Sequence, residues 1–186
     1  MEPSFVAPVE GEERRAAVES ALGRLPEEQR RGMTIDLGFA FAQGRDGDDG
    51  WAFVDVPGHE RFVRNMLAGV AAVDAALLVV AADDGPMPQT REHLAILGLL
   101  GVPRLVVALT KTDRVDAQRQ QAALVEVRTL LADGPHADAP VFALATPGGD
   151  GVSALRAHLQ ALARQQATPP VAGHFRLASD RSFLVA

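Results

Sequence analysis

The chain of 186 residues contains no cysteine, which excludes disulfides, thiolate zinc sites and cysteine nucleophiles together. It is almost without lysine: of 18 basic residues 17 are Arg, and Lys111 is the one exception. Wherever its chemistry needs a lysine, Lys111 is the sole candidate. No apolar run approaches the roughly 18 residues of a membrane span. The longest, Ala75–Ala82, has the length of a buried strand. The N-terminus, MEPSFVAPVEGEERR, is acidic and contains proline, unlike a signal peptide, so a cytoplasmic protein is expected. A net charge of −6 leaves no bulk positive field with which to hold nucleic acid, and strong autonomous nucleic-acid binding is not expected.

What is present is an ordinary soluble balance, with 47% hydrophobic and 23% charged residues, enough for one domain with a sizeable core. Ser4–Val9 is a weak strand candidate because of Pro3 and Pro8, and Glu12–Leu22 has the spacing of an amphipathic helix. Leu25–Gly32 reads as a polar loop. Met33–Gln43 alternates in part and predicts a half-buried strand, joined by a Gly- and Asp-rich loop, Gly44–Gly50, to a second strand at Trp51–Val54.

Strands and helices then alternate. Glu60–Gly69, Pro88–Leu100, Val115–Leu131 and Val152–Leu162 have helical spacing, and Ala75–Ala82, Leu105–Leu109 and Pro140–Ala143 read as strands. Leu94, Leu97 and Leu100 are expected on one inward face, as are Leu124, Val127 and Leu131, and Val152, Leu155, Leu159 and Leu162. The order predicts an α/β fold, a mostly parallel sheet with helices on both faces. Gln165–Gly173 contains Pro169-Pro170 and reads as a linker, and His174–Ala186 begins a new alternating segment.

Three strand ends carry polar strings. The first is Asp55-Val56-Pro57-Gly58-His59-Glu60. In open α/β sheets ligands bind beyond the carboxyl ends of the strands. There Asp55 can hold a hydrated Mg²⁺, Gly58 admits a backbone N–H to a phosphate oxygen, and His59 can reach a reacting water. A Pro-Gly turn that merely joins strand to helix is the plainer alternative. The second string is Thr110-Lys111-Thr112-Asp113. A carboxylate there can accept N1–H and N2–H₂ of guanine, a pairing adenine cannot match, while the Lys stem lies over the base. A helix start capped by Asp113 or Asp116 would use the same residues. The third is Leu144-Ala145-Thr146, where the Ala145 amide could meet guanine O6. Upstream, Thr34 offers a hydroxyl to a Mg²⁺ shell, or simply starts a strand.

In this order and spacing the strings resemble the translational GTPases, and most closely the selenocysteine-specific elongation factor family. RLPEEQRRGMTIDLGFAF is similar to the family's first switch region, and DVPGHERFVRNMLAGVAAVDAALLVVAADDGPMPQTREHLAIL to its second switch with the strand and helix after it. LTKTDRV matches the guanine-specificity loop, with Thr110 where GTPases generally have Asn, as fits this family. HFRLASDRSFLVA resembles the opening of a second domain. The resemblance covers about Leu25–Ala186.

It implies a three-layer, P-loop-NTPase-like G domain over 25–165, a linker at 166–173 and a truncated β-barrel start at 174–186. It implies GTP or GDP with Mg²⁺ as cofactors. Thr34 and Asp55 would be the metal residues, Gly58 the γ-phosphate sensor and His59 the positioner of water. Thr110, Lys111, Asp113 and Ala145 would bind guanine. Selenocysteinyl-tRNA and the ribosome would be the partners, reached mostly through domains absent from this chain, with no membrane involved.

One part of the pattern is missing. Phosphate capture by this fold uses G-x-x-x-x-G-K-[ST], whose backbone, Lys and hydroxyl cradle the phosphates and Mg²⁺. Residues 1–24 carry an atypical segment instead. Without gaps, Ala7-Pro8-Val9-Glu10-Gly11-Glu12-Glu13-Arg14-Arg15 falls there, placing Glu10, Glu12 and Glu13 where phosphates belong. Arg14 or Arg15 can replace charge but not the hydroxyl. Three readings therefore stand: a GTP-binding domain impaired in hydrolysis, a pseudo-GTPase kept as a binding module, and a truncated gene product.

Overall fold

The computed structural model describes residues 35–42, 51–70, 73–145 and 149–165. The expectations for Ser4–Val9, Glu12–Leu22, Leu25–Gly32, Thr34, the Gly44–Gly50 loop, the 166–173 linker and 174–186 lie outside these residues.

Two sheets form. β1 (Gly38–Ala42) and β2 (Trp51–Asp55) pair antiparallel, with Gly38 opposite Asp55 and Ala42 opposite Trp51. β3 (Ala76–Ala81), β4 (Leu105–Thr110) and β5 (Val141–Ala143) pair parallel in that order. Among the described residues no strand of one sheet pairs with a strand of the other. The helices are α1 (Val63–Val70), α2 (Pro88–Leu99), α3 (Ala117–Leu131) and α4 (Val152–Gln165). None is long and apolar enough to cross a membrane.

β4 shows why the parallel sheet is central. Its apolar run is buried on both faces, as expected for a strand covered by helices on each side. Leu105, Val107 and Leu109 join Leu78 and Val80 of β3 against α1, α2 and α3. Val106 and Ala108 point the other way, with Leu77, Val79 and Phe142, onto Leu155, Leu159 and Leu162 of α4. Each fully buried Val or Leu here contributes about 1.5–3 kcal/mol over an exposed one. This is the three-layer α/β arrangement read from the sequence.

The hairpin joins this core through α1. Met66 and Val70 enter the core, while Gly69 lies so close to the hairpin that a Cβ would sit 2.8 Å from Leu37 and from Val56. The helix starts have local causes. Pro88 occupies the first turn of α2, and the Met87 N–H donates to Thr90 Oγ1 at 3.1 Å. Asp116 caps α3 by accepting from the Arg119 N–H at 2.7 Å. The inward faces hold for Leu97, Val127, Leu131 and Leu155. Leu100 departs from expectation: it closes α2 and is 43% exposed.

Candidate functional site

β2 delivers Asp55 to its carboxyl end, where the side chain is 7% exposed. Pro57 is fully buried, so the following turn is anchored rather than free. Gly58 and His59 come next, both half-buried. The His59 ring folds back on its own chain: Nδ1 accepts from the Arg61 N–H at 3.2 Å, and the ring meets Phe62 edge-on at 6.1 Å. With Nδ1 accepting, the neutral ring carries its proton on Nε2. In that form it can orient a water by donating to it but cannot take its proton.

Two supports come from the helices. His93 of α2 comes close enough to the Gly58 backbone for that backbone to favour its charged form. Burial pushes the His93 pKa below the usual 6.5, against the opposing pull of Glu92 and of that backbone. Asn65 of α1 donates Nδ2–H to the Ile35 carbonyl at 3.0 Å. Thr34 lies outside the described residues, but its neighbour is thus pinned to the helix that follows His59.

The second string forms a tight turn at the end of β4. The Thr110 hydroxyl donates to Val80 O at 3.4 Å and its carbonyl accepts from the Ala82 N–H at 2.8 Å, so Thr110 braces β4 against β3. Lys111 is left-handed, with φ 58° and ψ 31°, the one non-glycine residue with positive φ among those described. That geometry costs about 1–2 kcal/mol for an L-residue. Its Nζ donates to both carboxylate oxygens of Asp83 at 2.9 and 2.8 Å and lies 3.6 Å from Asp84. The bond from Lys111 holds the Asp83 pKa below its ordinary 3.8. Asp113 follows in the single 3₁₀ turn Thr112–Arg114 and is exposed. Because Asp116 performs the capping of α3, Asp113 is released from that alternative duty.

The third string closes the rim. The Thr112 N–H donates to Leu144 O at 3.2 Å, and the Leu144 N–H to Leu109 O at 2.8 Å. The Ala145 N–H donates to Asp150 O at 3.1 Å, forming an antiparallel bridge. Its amide reaches a base oxygen only when that bridge opens or the bond is shared.

The two ends of this rim differ in what they fit. An exposed carboxylate at Asp113, next to an apolar lysine stem held in place, suits the donor edge and the face of guanine. A triphosphate finds no free lysine. The only lysine is engaged by Asp83 and Asp84, and the chain contains no G-x-x-x-x-G-K-[ST] string. Among the described residues no three His, Asp or Glu gather as a metal cage. Mg²⁺ at nucleotide sites needs only one or two carboxylates beside water and phosphate, so Asp55 keeps its candidacy, and the phosphates are the part for which the described residues offer no lysine.

Asp83, His93 and Asn65 were not singled out by the sequence strings. His93 carried a partial signal, one helical turn before buried Leu97 and therefore toward the inward side of α2.

Comparison with known proteins agrees with this geometry. The family model of the elongation factor Tu GTP binding domain matches residues 6–165. The selenocysteine-specific elongation factor of Escherichia coli (strain K12) is 53% identical over 162 residues, covering 87% of this chain and 26% of that protein. That of Desulfomicrobium baculatum is 45% identical over 160 residues, covering 86% and 25%. The crystal structure of the bacterial selenocysteine-specific elongation factor EF-Sec matches with a TM-score of 0.72 at 31% identity, over 84% of this chain and 28% of that one. SelB from Methanococcus maripaludis, solved with the GTP analogue GPPNHP, matches with a TM-score of 0.67 at 22% identity, over 84% and 32%, and shows the shared fold. The chain spans about a quarter of the length of these curated relatives. It belongs to the elongation factor Tu GTP binding domain family, and within that family it is similar to the GTP-binding domain of selenocysteine-specific elongation factors.

Proposed function

We propose that this chain is a guanine-nucleotide-binding domain of the selenocysteine-factor kind, with its base-recognition rim retained and its hydrolysis impaired. Asp113 selects guanine through its carboxylate, Lys111 covers the base, Thr110 braces the loop, and Ala145 adds its amide when the bridge to Asp150 opens. The single observation that carries this is the Lys111–Asp113 turn: a left-handed lysine followed by an exposed carboxylate relieved of capping by Asp116.

Asp55, Thr34, Gly58 and His59 stand where the family resemblance puts the metal, the γ-phosphate and the water. Without a phosphate-holding lysine and hydroxyl they do not close into a hydrolytic centre, because positioning and electrostatics supply nearly all of the catalysis in phosphoryl transfer. In a longer protein, the chain would serve GTP-dependent delivery of selenocysteinyl-tRNA to the ribosome in the cytoplasm. The acidic balance leaves the RNA contacts to other domains. A second reading, a pseudo-GTPase binding module, is favoured by the engagement of the only lysine with two carboxylates.

A fluorescent-GDP titration of the purified chain beside Asp113→Asn separates the two. A charge-assisted hydrogen bond is worth about 1.5–3 kcal/mol, so the variant should bind about 10–100-fold more weakly. No binding by the folded wild-type chain up to millimolar GDP would leave the pseudo-GTPase.

A further inference from the structure

The Lys111 turn is held from a direction the nucleotide-binding strings do not name. Lys111 is left-handed, and a left-handed L-residue reverts to an ordinary conformation unless its surroundings over-determine it. Its backbone has two ties, the Arg114 N–H to Lys111 O at 3.1 Å and the Thr112 N–H to Leu144 O at 3.2 Å. Its side chain has a third, the pair of hydrogen bonds that Nζ donates to Asp83 across 28 residues of sequence. Asp83 is a fixed post. The Ala82 N–H before it donates to Thr110 O at 2.8 Å, and the Gly85 N–H after it donates to Ala81 O at 2.8 Å. Arg119 Nε donates to Ala82 O at 2.9 Å while its other nitrogens fork onto Glu126 at 2.7 and 3.2 Å. Gly85, at φ +74°, lies against that fork, where a Cβ would collide with the Glu126 carboxylate. α3 therefore clasps the β3 turn from one side, and Lys111 takes hold of it from the other.

We infer, on the reading of Lys111 and Asp113 as the base-binding pair, that Asp83 is a positioning residue for guanine recognition. It fixes the lysine stem and, through the left-handed turn, the aim of Asp113 two residues on. It touches the base site only through Lys111. Because Asp83 occupies Nζ, the same contact keeps the chain's one lysine from serving as a phosphate ligand.

The lysine count makes the test clean. An amine-directed acylating reagent labels Lys111 and the N-terminal amine only, and peptide mass spectrometry separates the two. In the nucleotide-free chain Asp83→Asn should speed Lys111 labelling by about fivefold, the scale expected for releasing one partly exposed ion pair. Asp83→Glu should recover most of the protection, and Asp84→Asn, whose carboxylate is the more distant, should change it little. Amide exchange at Thr112 and Asp113 should quicken in Asp83→Asn alone. A second measurement needs no variant: salt at about 1 M screens the pair and should raise wild-type labelling. Equal labelling rates in wild type and Asp83→Asn, or an equal effect of the two Asp→Asn changes, would overturn the inference. GDP affinity should fall about fivefold in Asp83→Asn and return in Asp83→Glu, a rescue that a purely structural role would not give. Failure of the wild-type chain to bind GDP would sink the function proposed above and leave labelling and exchange to decide this point.

Discussion

The proposed base-facing and phosphate-facing ends of the rim are built in different ways. At the base end each loop is tied to the next: Ala82 to Thr110, Lys111 to Asp83, Thr112 to Leu144, Leu144 to Leu109. Their ties all run between adjacent parallel strands, so the parallel core carries the geometry directly. At the proposed phosphate end, Asn65 of α1 holds the Ile35 carbonyl, and the Asp55–His59 turn is tied to the helix that follows it by the Phe62 N–H to His59 O at 2.9 Å. Polar groups are placed there, but the chain's one lysine is not among them. Recognition of a base is a local matter that one turn can complete. Capture of phosphates in this fold draws charge from a separate segment, the G-x-x-x-x-G-K-[ST] string that this sequence does not contain.

The contrast breaks most visibly at two glycines. Gly151 sits at φ +75° behind Ala145, and a Cβ there would run into the Ala143 carbonyl, which is backbone and cannot step aside. Left-handed strain and the collision together should cost Gly151→Ala about 3 kcal/mol. For a domain of this size that lowers the melting temperature by about 6–12 °C. Gly69 belongs to the phosphate side, and its would-be Cβ meets only side-chain ends of Leu37, Val54 and Val56. Overpacking of about 1–3 kcal/mol is there opposed by the ~1 kcal/mol that Ala gains over Gly inside a helix. Gly69→Ala should therefore cost about 0–2 kcal/mol and melt at most about 8 °C below wild type, and a larger fall than Gly151→Ala would reverse the comparison.

The same asymmetry governed what was legible in the sequence. β3 and β4 lie within a residue of their expected limits, since an apolar run bounded by Asp83-Asp84-Gly85 or by Thr110-Lys111 is a local signal. The strand expected from Met33 starts only at Gly38. Before it, the Leu37 N–H donates to its neighbour's Asp36 Oδ1 at 2.8 Å and the Ile35 carbonyl accepts from Asn65, so both are diverted from a ladder. Leu100 satisfied helical spacing but falls at the helix end, where Gly101 turns the chain at φ +67°. The places of Asp55, Lys111 and Asp113 at strand ends were legible because each belongs to one turn. Asp83, His93 and Asn65 were not, because their roles exist only once segments distant in sequence are packed together.

His93 gives a smaller effect with a defined sign. Burial lowers its folded pKa below the unfolded 6.5, so between the two values the unfolded chain binds more protons. Stability therefore falls as pH drops through about 6.5 toward the folded value and is level above it. Asp83, also lowered, loses its contribution only in the acid carboxylate range, below the pH at which the His93 window opens. His93→Gln should flatten the difference in melting temperature between pH 7.5 and pH 5.5. If the slope is unchanged, another group is titrating.

The smallest expected effect is the most informative about the phosphate end. In a nucleotide site with a working phosphate cradle, the metal bridges phosphate oxygens and the protein, so removing it or its carboxylate costs much of the affinity. Here the base end is expected to supply nearly all of the binding. Adding EDTA, or replacing Asp55 by the isosteric Asn, should leave GDP affinity within about twofold, against the loss of about 10–100-fold from Asp113→Asn. GDP and guanosine should then bind alike. A tenfold loss with EDTA would mean that the phosphates are held after all, by Arg14, Arg15 or another arginine in place of the missing lysine. The two ends of the rim would then be equals in binding, and the difference between them would narrow to the hydrolytic step alone.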